Sequence, residues 1–267
     1  MKSIFTEEQI DFMKENYSKM SYKEIANIFN LTERQVRGKI NNMGLSKTRK
    51  FNTDYFKEIN SPNQAYWLGF IYADGYILHR PSTRNYELGI ELKSTDSNAL
   101  NCFNSELGNV HNVDFKHNHK NFNGYDYETD SCVIRVYSKE IVEDLMSHNI
   151  FQNKTNRIEF PECKKYFWDF IRGFLDGDGC IYVNPKNNIS VKFVNSNEMF
   201  LKYIQSNILD RLNIKGSIYK ENDKKYQLVY FVKAHVKLLL DSIYYDNRNQ
   251  MLLRKYEIYK SYYGSPA

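Results

Sequence analysis

Apolar positions at the head of the chain recur at helical spacing behind three matched starts. Thr6-Glu7-Glu8-Gln9, Ser21-Tyr22-Lys23-Glu24 and Thr32-Glu33-Arg34-Gln35 each put a hydroxyl three residues before an acid or amide. That is the spacing of a capping box, in which the two side chains satisfy orphan amides of the first helical turn reciprocally. Ile10, Met13 and Tyr17 follow the first start, Ile25, Ile28 and Phe29 the second, and Val36 and Ile40 the third. Each set shares one helix face, and Gly44 offers a C-terminal stop. The pattern predicts three short helices over residues 1–46. Small Ala26, then Asn30, which tolerates a left-handed turn, then Val36 give the second and third helices the spacing of a helix-turn-helix. Such a unit is either a packing module with a solvated face or a DNA reader. As a reader it would present Arg34, Gln35, Arg37, Lys39 and Asn41 to a major groove, with Lys47, Arg49 and Lys50 extending the basic track. Residues 47–60 carry no clear period and read as a basic linker.

Further along, one apolar segment occurs twice. Trp67-Leu68-Gly69-Phe70-Ile71-Tyr72-Ala73-Asp74-Gly75 returns as Ile171-Arg172-Gly173-Phe174-Leu175-Asp176-Gly177-Asp178-Gly179. An internal repeat of this kind divides the rest of the chain into two units, 61–160 and 161–267. Ser61-Pro62-Asn63-Gln64 supplies a hydroxyl cap, a first-turn proline and a third-position amide for the first copy. In each copy two small residues fall four apart, Gly69 with Ala73 and Gly173 with Gly177, so two such helices can approach backbone to backbone. Each copy then ends in Asp-Gly, with the glycine expected to stop the helix. Close-packed helices ending together would set Asp74 beside Asp178. Adjacent carboxylates are unfavourable unless neutralised, and hard oxygen ligands are the setting for Mg²⁺. Such a pair suits metal-assisted phosphodiester cleavage.

After each repeated segment the period changes to two. Leu88, Ile90 and Leu92 alternate with Glu87, Glu91 and Lys93, and Ile189, Val191 and Phe193 alternate with Ser190 and Lys192. Residues 97–107 and 197–212 read as helices, and residues 132–137 and 226–232 as late strands. The two copies therefore run in parallel: motif helix, hairpin, helix, hairpin, helix.

Composition narrows the function classes. Lys and Arg number 37 against 32 Asp and Glu, a net charge of +5 over 267 residues, which favours a polyanionic partner. Hydrophobic residues at 42% can fill a core, and no stretch nears the roughly 20 apolar residues of a membrane span. The acidic start after Met1 does not resemble a signal peptide, so a cytoplasmic protein is expected. Its abundant Lys, Asn, Ile and Tyr suit a phage or bacterial genome of low GC content. Cys102, Cys132, Cys163 and Cys180 are dispersed and read as reduced, mostly core thiols. His117 and His119 stand two apart without a nearby cysteine, which gives no structural zinc pattern. With no nucleophile elbow or phosphate-cradling glycine loop, the chemistry falls to carboxylates.

The paired nine-residue segments resemble the signature of the LAGLIDADG homing endonucleases, whose metal-binding acid falls on Asp74 and Asp178. The resemblance covers roughly residues 60–260 and departs at Tyr72, where the signature has an acid that the second copy keeps as Asp176. It implies an α+β monomer of two pseudo-symmetric αββαββα repeats, with saddle-shaped antiparallel sheets on DNA. It also implies sequence-specific cleavage of both DNA strands with Mg²⁺ or another divalent metal such as Mn²⁺, leaving short 3′ overhangs. Lys139 and Lys233 fall where the family often carries a basic residue near the scissile phosphate, and Ser94 and Asn195 where it has a polar, water-organising one. The polar strand faces would contact DNA through Arg80, Arg84, Lys93 and Arg135 in the first repeat. Asn184, Lys186, Asn188 and Lys192 are the corresponding candidates of the second. A non-cleaving regulator or an intron RNA maturase on the same scaffold is the alternative, and an organellar intron would change the compartment.

Overall fold

A computed structural model describes residues 5–17, 20–45, 51–122, 125–152, 160–161, 164–222, 225–246 and 251–264. The chain divides into two units, Met1–Lys50 and Phe51–Ala267.

The smaller unit holds α1 (Glu7–Asn16), α2 (Tyr22–Phe29) and α3 (Glu33–Asn42). All three capping boxes are closed, Thr6 with Gln9, Ser21 with Glu24 and Thr32 with Gln35. Asn30 ends α2 in the left-handed conformation at φ 53°, as the turn between α2 and α3 requires. Met13, Ile25, Ala26, Val36 and Ile40 form a buried cluster of their own. Ile28, expected inside, is 52% exposed.

In the larger unit the first repeat runs α4 (Pro62–Ala73), β1 (Gly75–Arg80), β2 (Asn85–Lys93), α5 (Ser97–Glu106), β3 (Val113–Phe122), β4 (Tyr125–Val136) and α6 (Lys139–Ser147). The second runs α7 (Phe167–Asp178), β5 (Gly179–Val183), β6 (Ile189–Asn195), α8 (Glu198–Leu212), β7 (Ser217–Asn222), β8 (Lys225–Tyr230) and α9 (Lys233–Ile243). A tenth helix, α10 (Leu253–Tyr263), follows. The sheets have the same antiparallel order, β1-β2-β4-β3 and β5-β6-β8-β7. Their registers correspond: Gly75 pairs Ile90, which pairs Ile134, and Gly179 pairs Phe193, which pairs Leu228. The αββαββα pattern is thus present twice. One buried cluster spans both repeats, joined through the apolar side chains of α4 and α7.

The linker expected over 47–60 ends by residue 51. Tyr55 and Phe56 are buried, and the Gln64 side chain donates to the Tyr55 carbonyl at 2.7 Å. His148 reaches the Phe56 carbonyl at 2.7 Å. The aromatic residues bury apolar area on the larger unit without any periodic element, so their role left no period to read. Cys180 is exposed, against the expectation of core thiols, while Cys132 is buried. Cys163 lies outside the described residues.

Candidate active site and nucleic-acid face

Small residues decide how closely α4 and α7 pack. A Cβ on Gly69 would stand 2.1 Å from the Phe170 carbonyl oxygen, and one on Gly173 would stand 1.9 Å from that of Tyr66. Near the helix ends, a Cβ on Gly177 would lie 2.2 Å from Ala73 Cβ and 3.4 Å from the Asp74 amide nitrogen. The helices therefore touch backbone to backbone along their length, and Asp74 and Asp178 follow directly after the last contact. Asp74 is exposed and Asp178 half-buried.

Gly75 and Gly179 end these helices in a different way from that expected. Gly179 has φ −105° and ψ 169°, ordinary extended backbone. What excludes a side chain is space. A Cβ on Gly75 would fall 2.6–2.9 Å from Ile71 atoms, and one on Gly179 would fall 2.4–2.7 Å from Leu175. The first strand of each repeat leaves so close to the helix it follows that only hydrogen fits.

The signature acid that differs between the copies serves structure. Tyr72, buried, donates its hydroxyl to the His148 carbonyl. Asp176, fully buried, accepts from the Tyr66 hydroxyl at 2.9 Å and the Leu252 amide at 2.8 Å through Oδ2, while Oδ1 has no partner among the described residues. Burial pushes its carboxyl up to about 6, against the opposing pull of Lys255, the Leu252 amide and Tyr66.

Lys255 lies on α10, which the sequence did not announce. Its Nζ donates to the carbonyls of Leu175 at 2.7 Å, Asp176 at 2.6 Å and Gly179 at 2.7 Å, and lies 3.5 Å from that of Gly177. An ammonium here complements the negative end of the α7 dipole and the carbonyls that no helical amide can reach. Burial lowers its pKa, and Asp176 and Asp74 draw it back up. A legible signal existed: Leu252, Lys255 and Tyr259 share one helix face and all three are buried, so the lysine sits in an apolar stripe.

Beside Asp74 opens a cleft of about 470 Å³, lined among others by Glu91, Lys93, Asp96, Asp130, Ser131 and Arg254. Asp96 is held by Arg254 Nε at 3.0 Å, and Glu91 accepts from Lys116 at 2.8 Å and Ser131 at 2.7 Å. Those bonds hold the Glu91 carboxyl below its usual range. The cleft thus offers carboxylate oxygens, the donor type a hard cation such as Mg²⁺ takes, but among the described residues no three of them converge within ligand range.

Four expected periphery residues are not brought together. Lys139 lines a separate cleft with Arg84, Asn85 and Tyr86, at the far end of the β1–β2 hairpin from Gly75. The cause is strand direction: β4 pairs Lys93 at its Ser131 end, beside Asp74, and runs away from it to Lys139. Lys233, at the equivalent start of α9, lies 5.0 Å from the centre of the Tyr262 ring. Ser94 does follow Lys93 into the turn near the cleft. Asn195 is buried and accepts from the Asn197 amide at 2.8 Å, and the register makes it the counterpart of Leu92 rather than of Ser94.

On the polar sheet faces, Arg80, Arg84 and Lys93 are exposed, while Arg135 is half-buried between Glu87 at 3.5 Å and Asp114 at 3.6 Å. Asn184 is a turn residue whose Oδ1 accepts the amides of Lys186 and Asn188, both exposed. Lys192 is half-buried. Lys116, not anticipated, joins this face through its pairing opposite Ser131. On α3, Arg34 and Asn41 are exposed, and Arg37 bonds Glu33 at 2.7 Å. Lys39 lies 5.6 Å from the Phe5 ring centre. Gln35 accepts from the Thr32 amide at 2.8 Å, so its carbonyl oxygen serves the cap. Lys47, Arg49 and Lys50 lie outside the described residues.

Comparison with known proteins adds family and fold. Residues 168–258 match the family model of the LAGLIDADG-like domain. An uncharacterised protein of Methanocaldococcus jannaschii is 30% identical over 182 residues, which cover 65% of this chain and 64% of that protein. The match thus spans less than two-thirds of that relative. Among solved structures, the homing endonuclease I-WcaI bound to its DNA recognition sequence matches with TM-score 0.57 at 14% identity, over 82% of this chain and 96% of that one. The N-terminal LAGLIDADG domain of DUF199/WhiA matches with TM-score 0.47 at 18% identity, over 78% and 98%. No described helix is long and apolar enough to cross a membrane. With its αββαββα pattern occurring twice and its second copy matching the family model, the chain carries a LAGLIDADG-like domain in the fold of the LAGLIDADG homing endonucleases.

Proposed function

We propose that the chain is a sequence-specific double-strand DNA endonuclease, working as a monomer, with Mg²⁺ or a similar divalent cation held by Asp74 and Asp178. The observation that supports this reading is the glycine-mediated contact of α4 and α7, whose last members, Ala73 and Gly177, immediately precede the two acids. A cation bound there would polarise a phosphoryl oxygen and lower the pKa of an attacking water. Around it, Lys93 and Arg254 would neutralise the scissile phosphate from the Asp74 cleft. The polar sheet faces would read bases and hold backbone, with Arg80, Arg84, Lys116 and Arg135 in the first repeat and Asn184, Lys186, Asn188 and Lys192 in the second. Arg84 and Lys139, sharing one cleft, would dock phosphate away from the cut. Arg34, Arg37 and Asn41 on α3 would add a second DNA contact, with Lys47, Arg49 and Lys50 continuing it. Cuts across one minor groove would leave short 3′ overhangs. The DNA-bound state of I-WcaI, which shares the fold, agrees with the same class of partner.

A specific observation favours a second reading, a non-cleaving DNA-binding regulator or intron maturase. The Lys255 ammonium already occupies the carbonyls at the α7 tip, and its charge opposes a divalent cation there.

The deciding experiment incubates the full chain and Mg²⁺ with DNA carrying the uninterrupted version of its neighbouring locus. Double-strand cutting, abolished in Asp74→Asn and in Asp178→Asn while DNA binding persists, supports the nuclease. Binding without cutting supports the regulator, and unimpaired cutting by either variant refutes the metal assignment. Removing residues 1–50 should lower the salt dependence of binding, by about 0.9 in log–log slope for each phosphate that the smaller unit neutralises.

A further inference from the structure

The ribbon formed by β3 and β4 outruns its sheet. β2 pairs β4 only from Ser131 to Val136, whereas β3 stays paired with β4 out to Phe122 and Tyr125. Among the described residues the outer part, from His117 to Asp130, therefore stands as two strands without a third. A lone two-stranded ribbon is marginally stable in water.

Four chemistry-bearing side chains gather on one face of that stretch. His117 is paired opposite Asp130 and His119 opposite Glu128, and residues two apart on a strand point the same way. The same face continues inward through Phe115 opposite Cys132 and Val113 opposite Ile134. It is thus the side away from Lys116, Ser131 and Glu91. His119 Nε2 lies 2.9 Å from Glu128 Oε1, and His117 Nε2 lies 3.5 Å from Glu128 Oε2. One ligand atom from each of the three residues lies within 4.8 Å of the others. Tetrahedral zinc bonds of about 2.0–2.1 Å set ligand atoms roughly 3.3 Å apart, a separation that these two distances bracket. The fourth side chain supplies orientation. Asp130 Oδ1 lies 2.7 Å from His117 Nδ1, which fixes the ring and turns Nε2 toward Glu128. A carboxylate on the remote nitrogen of a ligating histidine is the common outer partner of zinc sites.

We propose that His117, His119 and Glu128, with Asp130 orienting His117, form a Zn²⁺ site that staples the overhanging end of the ribbon. The two-histidine, one-carboxylate set leaves a fourth position for water. It prefers borderline metals over Mg²⁺, so it differs in chemistry from the oxygen cleft at Asp74, and none of its three ligands lines that cleft. Without metal, exposed ion pairs of this kind contribute little to holding two strands together. Zinc bridging both strands supplies the cross-link that the sheet does not provide there. Asp130 also lines the Asp74 cleft, so the stapled ribbon would steady one wall of it.

The test titrates metal-free full chain with Zn²⁺ against a competing chelator. Co²⁺ absorption then reports coordination, and amide exchange reports the ribbon. Expected are one Zn²⁺ per chain, a tetrahedral Co²⁺ spectrum, and slowed exchange confined to residues 115–130. His119→Ala and the double change His117→Ala/His119→Ala should lose the ion, with far-ultraviolet dichroism unchanged because the residues are exposed. Asp130→Asn should weaken binding about 10- to 100-fold, and Asp74→Asn should leave it unaltered. Absence of Zn²⁺ binding would overturn the proposal. So would Zn²⁺ that stays bound in the double variant, at Cys180 or in the Asp74 cleft.

Discussion

Replacing Gly173 by Ala tests whether the approach of α4 and α7 is as tight as the active-site reading needs. The added Cβ would meet Tyr66 O at 1.9 Å, Phe70 N at 2.8 Å and Tyr66 C at 2.9 Å, all backbone atoms that no rotamer change can move. Reaching even 3.0 Å from that oxygen separates the helices by more than 1 Å at this point. Alanine gains about 1 kcal/mol over glycine in a helix interior, and overpacking a tight core costs about 1–3 kcal/mol or more. The parting also loosens Tyr66, Phe70, Phe170 and Phe174, all fully buried at this contact, which puts the cost at or above the top of that range and the expected net loss at about 2 kcal/mol or more. For a unit of this size that lowers the melting midpoint by about 4–10 °C. Trp67 and Trp168, the chain's two tryptophans, lie on α4 and α7, so their fluorescence follows this unit's unfolding. Gly38 on α3 is the internal control. A Cβ there meets nothing within 4 Å, so Gly38→Ala should stabilise the smaller unit by about 0.5–1 kcal/mol. A Gly173→Ala chain that melts at the parent's midpoint, or above it, would refute the close approach and with it the adjacency of Asp74 and Asp178.

Three further outcomes are expected. Lys255→Met should destabilise the larger unit by about 3–5 kcal/mol in the same melt, because it strands buried carbonyls and the Asp176 carboxylate; a loss below about 1 kcal/mol would deny that burial matters there. Asp176 binds its proton more tightly folded, at about 6, than the ordinary 3.8, so stability should fall as pH rises between those values. Asp176→Asn should flatten that segment of the stability–pH curve, and an unaltered slope would assign it elsewhere. Glu91→Gln should release Lys116 from its 2.8 Å ion pair, raising DNA affinity and steepening its salt dependence by up to about 0.9 in log–log slope. Anisotropy titrations across a salt series would count against this reading if both stayed constant.

Much of this architecture is legible in the sequence, and the reasons are local. Capping boxes at Thr6, Ser21 and Thr32 are spacings of three residues and need nothing distant to form. Small residues four apart announce a close helix pair, because nothing else rewards two glycines inside an apolar helix. What escaped depends on pairing between distant segments. Lys139 follows its strand toward the wrong end of the hairpin because antiparallel pairing with β2 reverses the direction a linear reading assumes. Asn195 and Ser94 look equivalent by their distance from the strand centres, yet two residues of register separate them, and Asn195 takes the buried place of Leu92. Residues 51–60 escaped for a different reason: three aromatics can bury against a helix without any repeating interval.

Register also separates the two half-sites, which the repeated motif makes look alike. By the pairings that match Ile90 to Phe193 and Ile134 to Leu228, Glu91 corresponds to Val194 and Ser131 to Lys225. The first half therefore offers a carboxylate beside its motif acid where the second has an apolar side chain, and a hydroxyl where the second has an ammonium. Lys255 deepens the difference by hydrogen-bonding the carbonyls of the α7 tip. On the first side the extra carboxylate, Glu91, is paired with Lys116, and on the second the Lys255 ammonium sits at the α7 tip. Pseudo-symmetry of the backbone thus repeats the two acids while leaving their surroundings unlike, Asp74 exposed and Asp178 half-buried. On the nuclease reading, the two DNA strands meet unlike surroundings, and replacing Asp74 differs from replacing Asp178 in metal affinity before it differs in anything else.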